Sequence, residues 1–412
     1  MVQVAIIGAG PAGVSCAIAL NQQKVRCTLF ERNPHASLIP ESCVIFQDDV
    51  FDELCLSDIV HHCVIEASAL QFVSKNGHSH LNLSGLFASE AACGSGTEGI
   101  VTVDRTKLNF LLREYARQCQ IPIVPKSVRI VKREQDNRIT LCVDSTESEP
   151  LSIGTYDYVV DATGKLDTIQ YPLQQKQIGE ILDKRVGYFS QFHGMHGLVF
   201  GTTYIVTLDK SFIYLIPINA DTITIGVTVY DKPCQESNET YTRVLNGSPW
   251  VATLVGRLTP CMPVIPVLNQ VSRVCASTDG LVFFVGDSMG FGDPFYSSGI
   301  RKSIHSGWIA AKSIVHSIAS QTLCTSESYW SEHLTAYSFI ETKTEAVRRA
   351  SIPNLGLLSL ADPHIHQGIL SCLGNLILGY RSPDRSPDHN ANSSPKVLKT
   401  IRREAERLYA VD

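Results

Sequence analysis

The sequence predicts an α/β fold with a second, antiparallel β-layer and a helical C-terminal region. Three observations carry that expectation. Val4–Ile7 is a short apolar, β-branched run, followed by glycines at 8, 10 and 13 and then by helix-spaced apolar residues to Leu20. A strand, a glycine turn and a helix in succession open a parallel-sheet domain. Far along the chain, Leu281–Gly286 is another fully apolar strand pattern, and a long helical pattern runs over Gly299–Ser320. Between them, Tyr188–Phe192, Leu198–Leu208, Ser211–Ile218 and Thr222–Tyr230 are β-rich, with turn residues at Lys210 and Asn219–Asp221, as an antiparallel sheet wall requires.

Composition narrows the class. The chain has 412 residues, 44% apolar and 18% charged, with a net charge of −5. That suffices for two or three units with a large core and leaves no basic excess for nucleic acid. The thirteen cysteines are scattered and form no C-x-x-C, which points to reduced thiols and a cytoplasmic setting. The His61-His62 pair and His78/His80 have no acidic or cysteine cluster to complete a metal site, so no metal is expected. No apolar run reaches the roughly 18 residues of a membrane span, and the apolar N-terminus lacks the basic flank of a signal peptide.

The glycine stretch has the spacing G-x-G-x-x-G in the strand–helix context that a dinucleotide site needs. Gly8 allows the tight turn, Gly10 lets the backbone approach a pyrophosphate, and Gly13 lets helix and strand pack closely. Pro11 and Ala12 complete the turn at a helix start whose N–H groups and dipole favour phosphate. The second strand, Val25–Phe30, ends at Glu31, eighteen residues after Gly13. That is the position of the carboxylate that binds an adenosine ribose, and Arg32 follows it. The literal repeat of the motif at Gly94–Gly99 precedes a strand instead of a helix, so it reads as a loop.

Other elements follow in order. Glu41–Leu56 carries a helical apolar pattern. Ile65–Val73 and His78–Leu83 read as strands around an Asn76-Gly77 turn. Thr102–Leu112 passes from strand into helix with Asp104 or Thr106 as N-cap and Arg105 at the junction. The helix Lys107–Gln118 is followed by strands at Ile121–Val124, Val128–Arg133, Ile139–Val143 and Tyr156–Asp161. The last is closed by Ala162-Thr163-Gly164, a small-residue turn that lets backbone lie against a ligand. Asn246–Val255 reads as a helix. Arg381–Pro395 is polar and Pro/Ser-rich, hence mobile, and Val397–Tyr409 is an amphipathic helix.

Four segments together resemble one family: GAGPAG at Gly8–Gly13 with Glu31, Arg105 in VDRTKL, DATG at Asp161–Gly164, and GDSMGFGDPFYSSG at Gly286–Gly299. They are similar to the FAD-dependent aromatic hydroxylase and halogenase superfamily, which includes geranylgeranyl-reductase-like flavoproteins. The resemblance covers residues 1–320. It implies a Rossmann-type FAD-binding domain in two parts, 1–175 (with a substrate-side insertion at 41–100) and 266–320. A β-sheet substrate domain would occupy 176–265, and a helical region 321–412 would carry the mobile loop 381–395.

The resemblance also implies roles. Asp287, after Gly286, would hydrogen-bond the ribityl or pyrophosphate part of FAD. Pro294 and the N–H groups of Ser298, Gly299 and Ile300 would face the isoalloxazine ring. Arg105 would pair with phosphate, and Ala162 and Gly164 would line the cofactor. Phe212 and Tyr214 stand where the halogenases have the two tryptophans of W-x-W-x-I-P. They would hold an aromatic substrate against the β-wall, with Phe192 or His193 beside them. Lys75, in Ser74-Lys75-Asn76-Gly77, resembles the halogenase K-x-G segment. Lys75, His193 and His196 are candidates for proton handling, and Tyr296 stands where halogenases carry a glutamate.

The expected activity is hydroxylation of an electron-rich aromatic substrate through a flavin C4a-hydroperoxide, formed beside Pro294. The substrate would be free or carried on a protein. The alternatives are a halogenase served by a partner flavin reductase, a maturase that oxygenates a tryptophan of a partner protein to build a quinone cofactor, and a prenyl double-bond reductase.

Overall fold

The computed structural model describes residues 2–33, 42–47, 49–67, 69–73, 75–77, 79–82, 99–128, 130–134, 138–143, 151–164, 175–177, 182–195, 197–208, 211–229, 237–272, 275–277, 280–289 and 299–321. Pro294, Tyr296, Ser298, His196, the loop 94–98 and the expected C-terminal helix lie outside them.

In chain order the elements are β1 (Gln3–Ile7), α1 (Pro11–Gln22), β2 (Arg26–Phe30), β3 (Ser42–Gln47), α2 (Asp49–Glu53), α3 (Ser57–Cys63), β4 (Val64–Ala67), β5 (Ala69–Val73), β6 (Ser79–Asn82), β7 (Gly99–Asp104) and α4 (Arg105–Gln118). Next come β8 (Ile123–Val124), β9 (Ile130–Arg133), β10 (Ile139–Val143), β11 (Leu151–Tyr156), β12 (Tyr158–Asp161), β13 (Gln175–Gln177), β14 (Leu182–His193), β15 (Thr202–Leu208), β16 (Ser211–Pro217) and β17 (Thr222–Val229). The last are α5 (Ser237–Asn246), α6 (Pro249–Val255), β18 (Thr259–Pro260), β19 (Ile265–Ser272), β20 (Cys275–Ser277), β21 (Val282–Phe284) and α7 (Gly299–Ser320).

Two compact units result. The first draws on Met1–Val64, Val103–Leu182 and the stretch from Val271 through α7. The described part of the second lies within Ile65–Thr102 and Asp183–Gln270.

A five-stranded parallel sheet in the order β21-β12-β1-β2-β8 forms the heart of the first unit. Val4, Ala5, Ile6 and Ile7 are all buried, as a central parallel strand covered on both faces must be. Gly8 has a φ of 106°, and a β-carbon there would collide with the Ala162 carbonyl. A β-carbon on Gly13 would overlap the Gly8 carbonyl oxygen. The two glycines therefore let β1, α1 and the end of β12 touch.

Helix α7 lies against α1 at Gly307, where a side chain would strike the Ala12 carbonyl and Ser15. It also reaches α2: Trp308 Nε1 donates to Glu53 Oε1 at 2.9 Å, and Lys312 Nζ lies 3.7 Å from the Trp308 ring centroid. Strands β9, β10 and β11 make a separate antiparallel sheet with an irregularity at Leu141/Cys142.

The second unit is built on an eight-stranded sheet, β18-β14-β17-β16-β15-β5-β6 with β19 also paired to β14. Register decides which side chains share a face. Ile213, Leu215, Ile225, Val227, Tyr188 and Phe192 bury against Tyr241, Val244 and Leu245 of α5 and Val251 of α6. Each fully buried aliphatic side chain there contributes about 1.5–3 kcal/mol.

Four sequence expectations change. The one strand expected over Ile65–Val73 is two, β4 and β5, which belong to different sheets. Ser42–Gln47 is a strand, and among the described residues of the expected helix Glu41–Leu56 only Asp49–Glu53 is helical. The consecutive apolar residues Cys43–Phe46 suit an extended strand better than one helical stripe. The helix expected over Asn246–Val255 is two helices, because Ser248 caps α6 through its bond to Val251 N and Pro249 takes the first helical position. The strand expected from Leu198 begins at Thr202, after left-handed glycines at 197 and 201.

Candidate dinucleotide site

The site in the first unit is built where β1, β2 and β12 end. Helix α1 begins with Gly10 as N-cap and Pro11 at its first position. No side chain caps it, and no acidic residue sits in its first turn. The positive end of the helix is therefore left for a ligand. The β-carbon position of Gly10 has nothing within 4 Å, and the same holds at Gly164 and Gly299. At all three, backbone borders open space. Ala12 and Gly13 are buried behind the turn.

Glu31 sits just past β2 with its carboxylate fixed. Oε2 accepts from Ala9 N at 2.9 Å, and Oε1 accepts from Asn33 N at 3.0 Å. A carboxylate has about four acceptor positions, so room remains for a ribose hydroxyl. Arg32, beside it, is exposed. Arg113 of α4 closes the arrangement: Nε donates to Ala9 O at 3.0 Å, and Nη2 lies 3.7 Å from Glu31 Oε2. Nothing in the sequence marked Arg113, since a lone arginine on an amphipathic helix normally faces solvent.

The third side of the site is electropositive. Of the two caps the sequence offered, Asp104 and Thr106, it is Asp104 that caps α4, accepting from Lys107 N at 3.0 Å, which sets Arg105 at the first helical position. Arg301 and Lys302 lie in the first turn of α7 and are both buried. Cations at the positive end of a helix oppose its dipole, so this pair concentrates positive potential there. Asp287 is only partly accessible, and burial pushes its carboxyl up while Lys302 and then Arg105 pull it back. That places both cations within electrostatic reach of Asp287. Gly286, with φ 62°, donates its N–H to Ser306 Oγ at 2.8 Å, which ties the Asp287 turn to α7. Ile300 is buried at the start of that helix.

Asp161, at the end of β12, is 4% exposed and held by Thr163 N at 3.0 Å and Thr163 Oγ1 at 2.8 Å. Burial nevertheless outweighs those bonds and pushes its pKa up to about 6. Ser288 Oγ donates to the Asp161 carbonyl at 2.5 Å, so the DATG turn and the Asp287 turn are joined.

The second unit holds the remaining candidates. Tyr214 pairs with Gly226, and Phe212 with Thr228, so both aromatics share the sheet face opposite α5 and α6. The Tyr214 phenol lies over Gly226; any β-carbon there would overlap its ring. Phe192 does not join them: it pairs with Ile223 and belongs to the helix-covered core. His193 ends β14, half-exposed, with Nδ1 3.1 Å from Asp221 Oδ2 and 3.2 Å from Thr222 Oγ1. Lys75 is exposed, but its turn is held: its carbonyl accepts from Ser248 Oγ at 2.8 Å, and the Trp250 ring packs on Gly77.

Comparison with known proteins fits this geometry. Residues 6–44 match the NAD(P)-binding Rossmann-like domain. A tryptophan 2-halogenase from Chondromyces crocatus is 24% identical over 333 residues, which are 77% of this chain and 62% of that protein. The chain thus spans under two thirds of that relative's length. The flavin-dependent brominase Bmp2 superposes with a TM-score of 0.71 at 15% identity, over 98% of this chain and 99% of that one.

The fold is that of flavin-dependent halogenases and FAD monooxygenases. A Klebsiella pneumoniae HpxO variant solved with FAD also shares it, with a TM-score of 0.55 and 15% identity over 99% of this chain and 96% of the other. The resemblance read from the four motifs holds at this level. Among the described residues, no helix is long and apolar enough to cross a membrane.

Proposed function

We propose that this protein binds FAD in the first unit and uses it as a monooxygenase to hydroxylate an electron-rich aromatic ring. The observation that supports the cofactor most is the combination at the β1–α1 turn: an uncapped helix start, open backbone at Gly10 and a fixed acceptor at Glu31. An adenosine ribose, a pyrophosphate and a flavin would meet, in that order, Glu31, the α1 start with Arg105, and the α7 start with Asp287. When bound, the flavin supplies the two-electron chemistry that activates dioxygen.

The rest falls to the chain's own side chains. Arg105, Arg301 and Lys302 balance the negative charge of a phosphate and of a reduced flavin. Gly299 and Ile300, at the start of α7, would face the ring, and the same role is proposed for Pro294, Tyr296 and Ser298. Tyr214, partly exposed, would orient a ring substrate, while Phe212, expected to share that task, is buried at 1% exposure and packs beside it. Lys75 and His193 are assigned to proton handling, His193 with its Nδ1 oriented by Asp221.

Halogenation is the second reading, and the similarity to the tryptophan 2-halogenase favours it. Phe212 and Tyr214 in place of two tryptophans favour hydroxylation. A panel of indoles and phenols, supplied with a flavin reductase, bromide and isotope-labelled dioxygen, separates the two. The hydroxylase reading expects labelled oxygen in the product. Bromine in the product overturns it.

A further inference from the structure

The geometry points to Arg113 as the residue that positions Glu31 and the glycine turn for the adenosine end of the cofactor. The inference rests on the FAD reading and adds to it a residue outside the recognised motifs.

Glu31 and Arg113 make complementary bonds to the same two backbone units. The carboxylate takes the N–H groups of Ala9 and Asn33, at 2.9 and 3.0 Å. The guanidinium takes the carbonyls of Ala9 and Asn33, at 3.0 and 3.4 Å. The two side chains lie 3.7 Å apart at Nη2 and Oε2 and are only 12% and 13% exposed. Ala9 sits between Gly8 and Gly10, the residues that must bend for a pyrophosphate to approach. Asn33 leads away from β2. The ion pair therefore staples the phosphate-facing turn to the ribose-facing strand end.

Each partner needs the other. Arginine's planar fork can hold two carbonyls and a carboxylate at once; a lysine is a point charge that cannot. Without the fork, Glu31 is a mostly buried carboxylate with its main counter-charge gone. It then gains more by turning toward water than by holding the turn. Arg113 lies eight residues beyond Arg105 on α4, about 12 Å along the helix axis. One helix thus carries a cation for the phosphates and a second that shapes the adenosine end.

The test uses apoprotein and three probes: FAD, ADP (adenosine end only) and FMN (no adenosine). Affinities are read by flavin-fluorescence quenching and, for ADP, by competition with FAD. Arg113→Gln should weaken FAD and ADP together by about 10- to 100-fold, by analogy with the loss when the partner that orients a metal ligand is removed. FMN, which keeps one phosphate but has no adenosine for Glu31 to hold, should lose much less. Arg113→Lys should recover part of the loss. The inference is overturned if both variants bind FAD and ADP like wild type, or if FMN affinity falls as far as ADP affinity. Failure of the wild-type protein to bind FAD overturns the cofactor reading itself, an outcome distinct from either of these.

Discussion

Replacing Asp161 by asparagine should change how stability depends on pH. The carboxyl is buried, and its pKa is pushed from 3.8 up to about 6 despite two bonds from Thr163. A raised folded-state value means that the folded protein holds this proton more tightly than the unfolded chain. The stabilisation is complete below the unfolded value near 4 and is lost as pH rises through 6. A difference of about two pH units corresponds to about 3 kcal/mol. The substituted amide can still accept from Thr163 but does not titrate. Urea melts of wild type and Asp161→Asn apoprotein between pH 4.5 and 8 isolate this group, because every other titration cancels. Wild type should gain on the variant as pH falls through 6 toward 4, by about 2 kcal/mol at pH 4.5, and the difference should be flat above pH 7. A difference independent of pH over that range would refute the burial argument.

Two further perturbations test the second unit. Gly226→Ala places a β-carbon inside the Tyr214 ring and must turn the phenol out of its place; kcat/KM for an aromatic substrate should fall about tenfold or more, as positioning losses do, while FAD affinity is unchanged. Ser248→Ala removes the cap of α6 and the bond to the Lys75 carbonyl; denaturant melts should show a loss of about 1–2 kcal/mol.

The features legible in the sequence were those whose cause is local. Gly8, Gly10 and Gly13 are required by a turn a few residues long, and Glu31 is reached by one helix and one strand. The pattern Ile139–Val143 gave its strand to the residue. The start of a helical pattern narrows the cap of α4 to Asp104 or Thr106, and the bond to Lys107 N selects Asp104. What sequence did not show depends on register or on distant segments meeting. Phe192 and His193 are neighbours in sequence, yet pairing of Phe192 with Ile223 sends it to the core and His193 to the other face. Arg113 is an ordinary helix residue until β2 and the glycine turn close around it. Gly226 is an unremarkable strand glycine until Tyr214 crosses it.

Everything at the ends of β1, β2 and β12 turns on binding of FAD by the first unit. Its most direct test is calorimetric titration of the apoprotein with FAD, followed by release and chromatography of the bound flavin. One FAD per chain is expected, intact and held more tightly than FMN. No binding, or a preference for FMN over FAD, would contradict it.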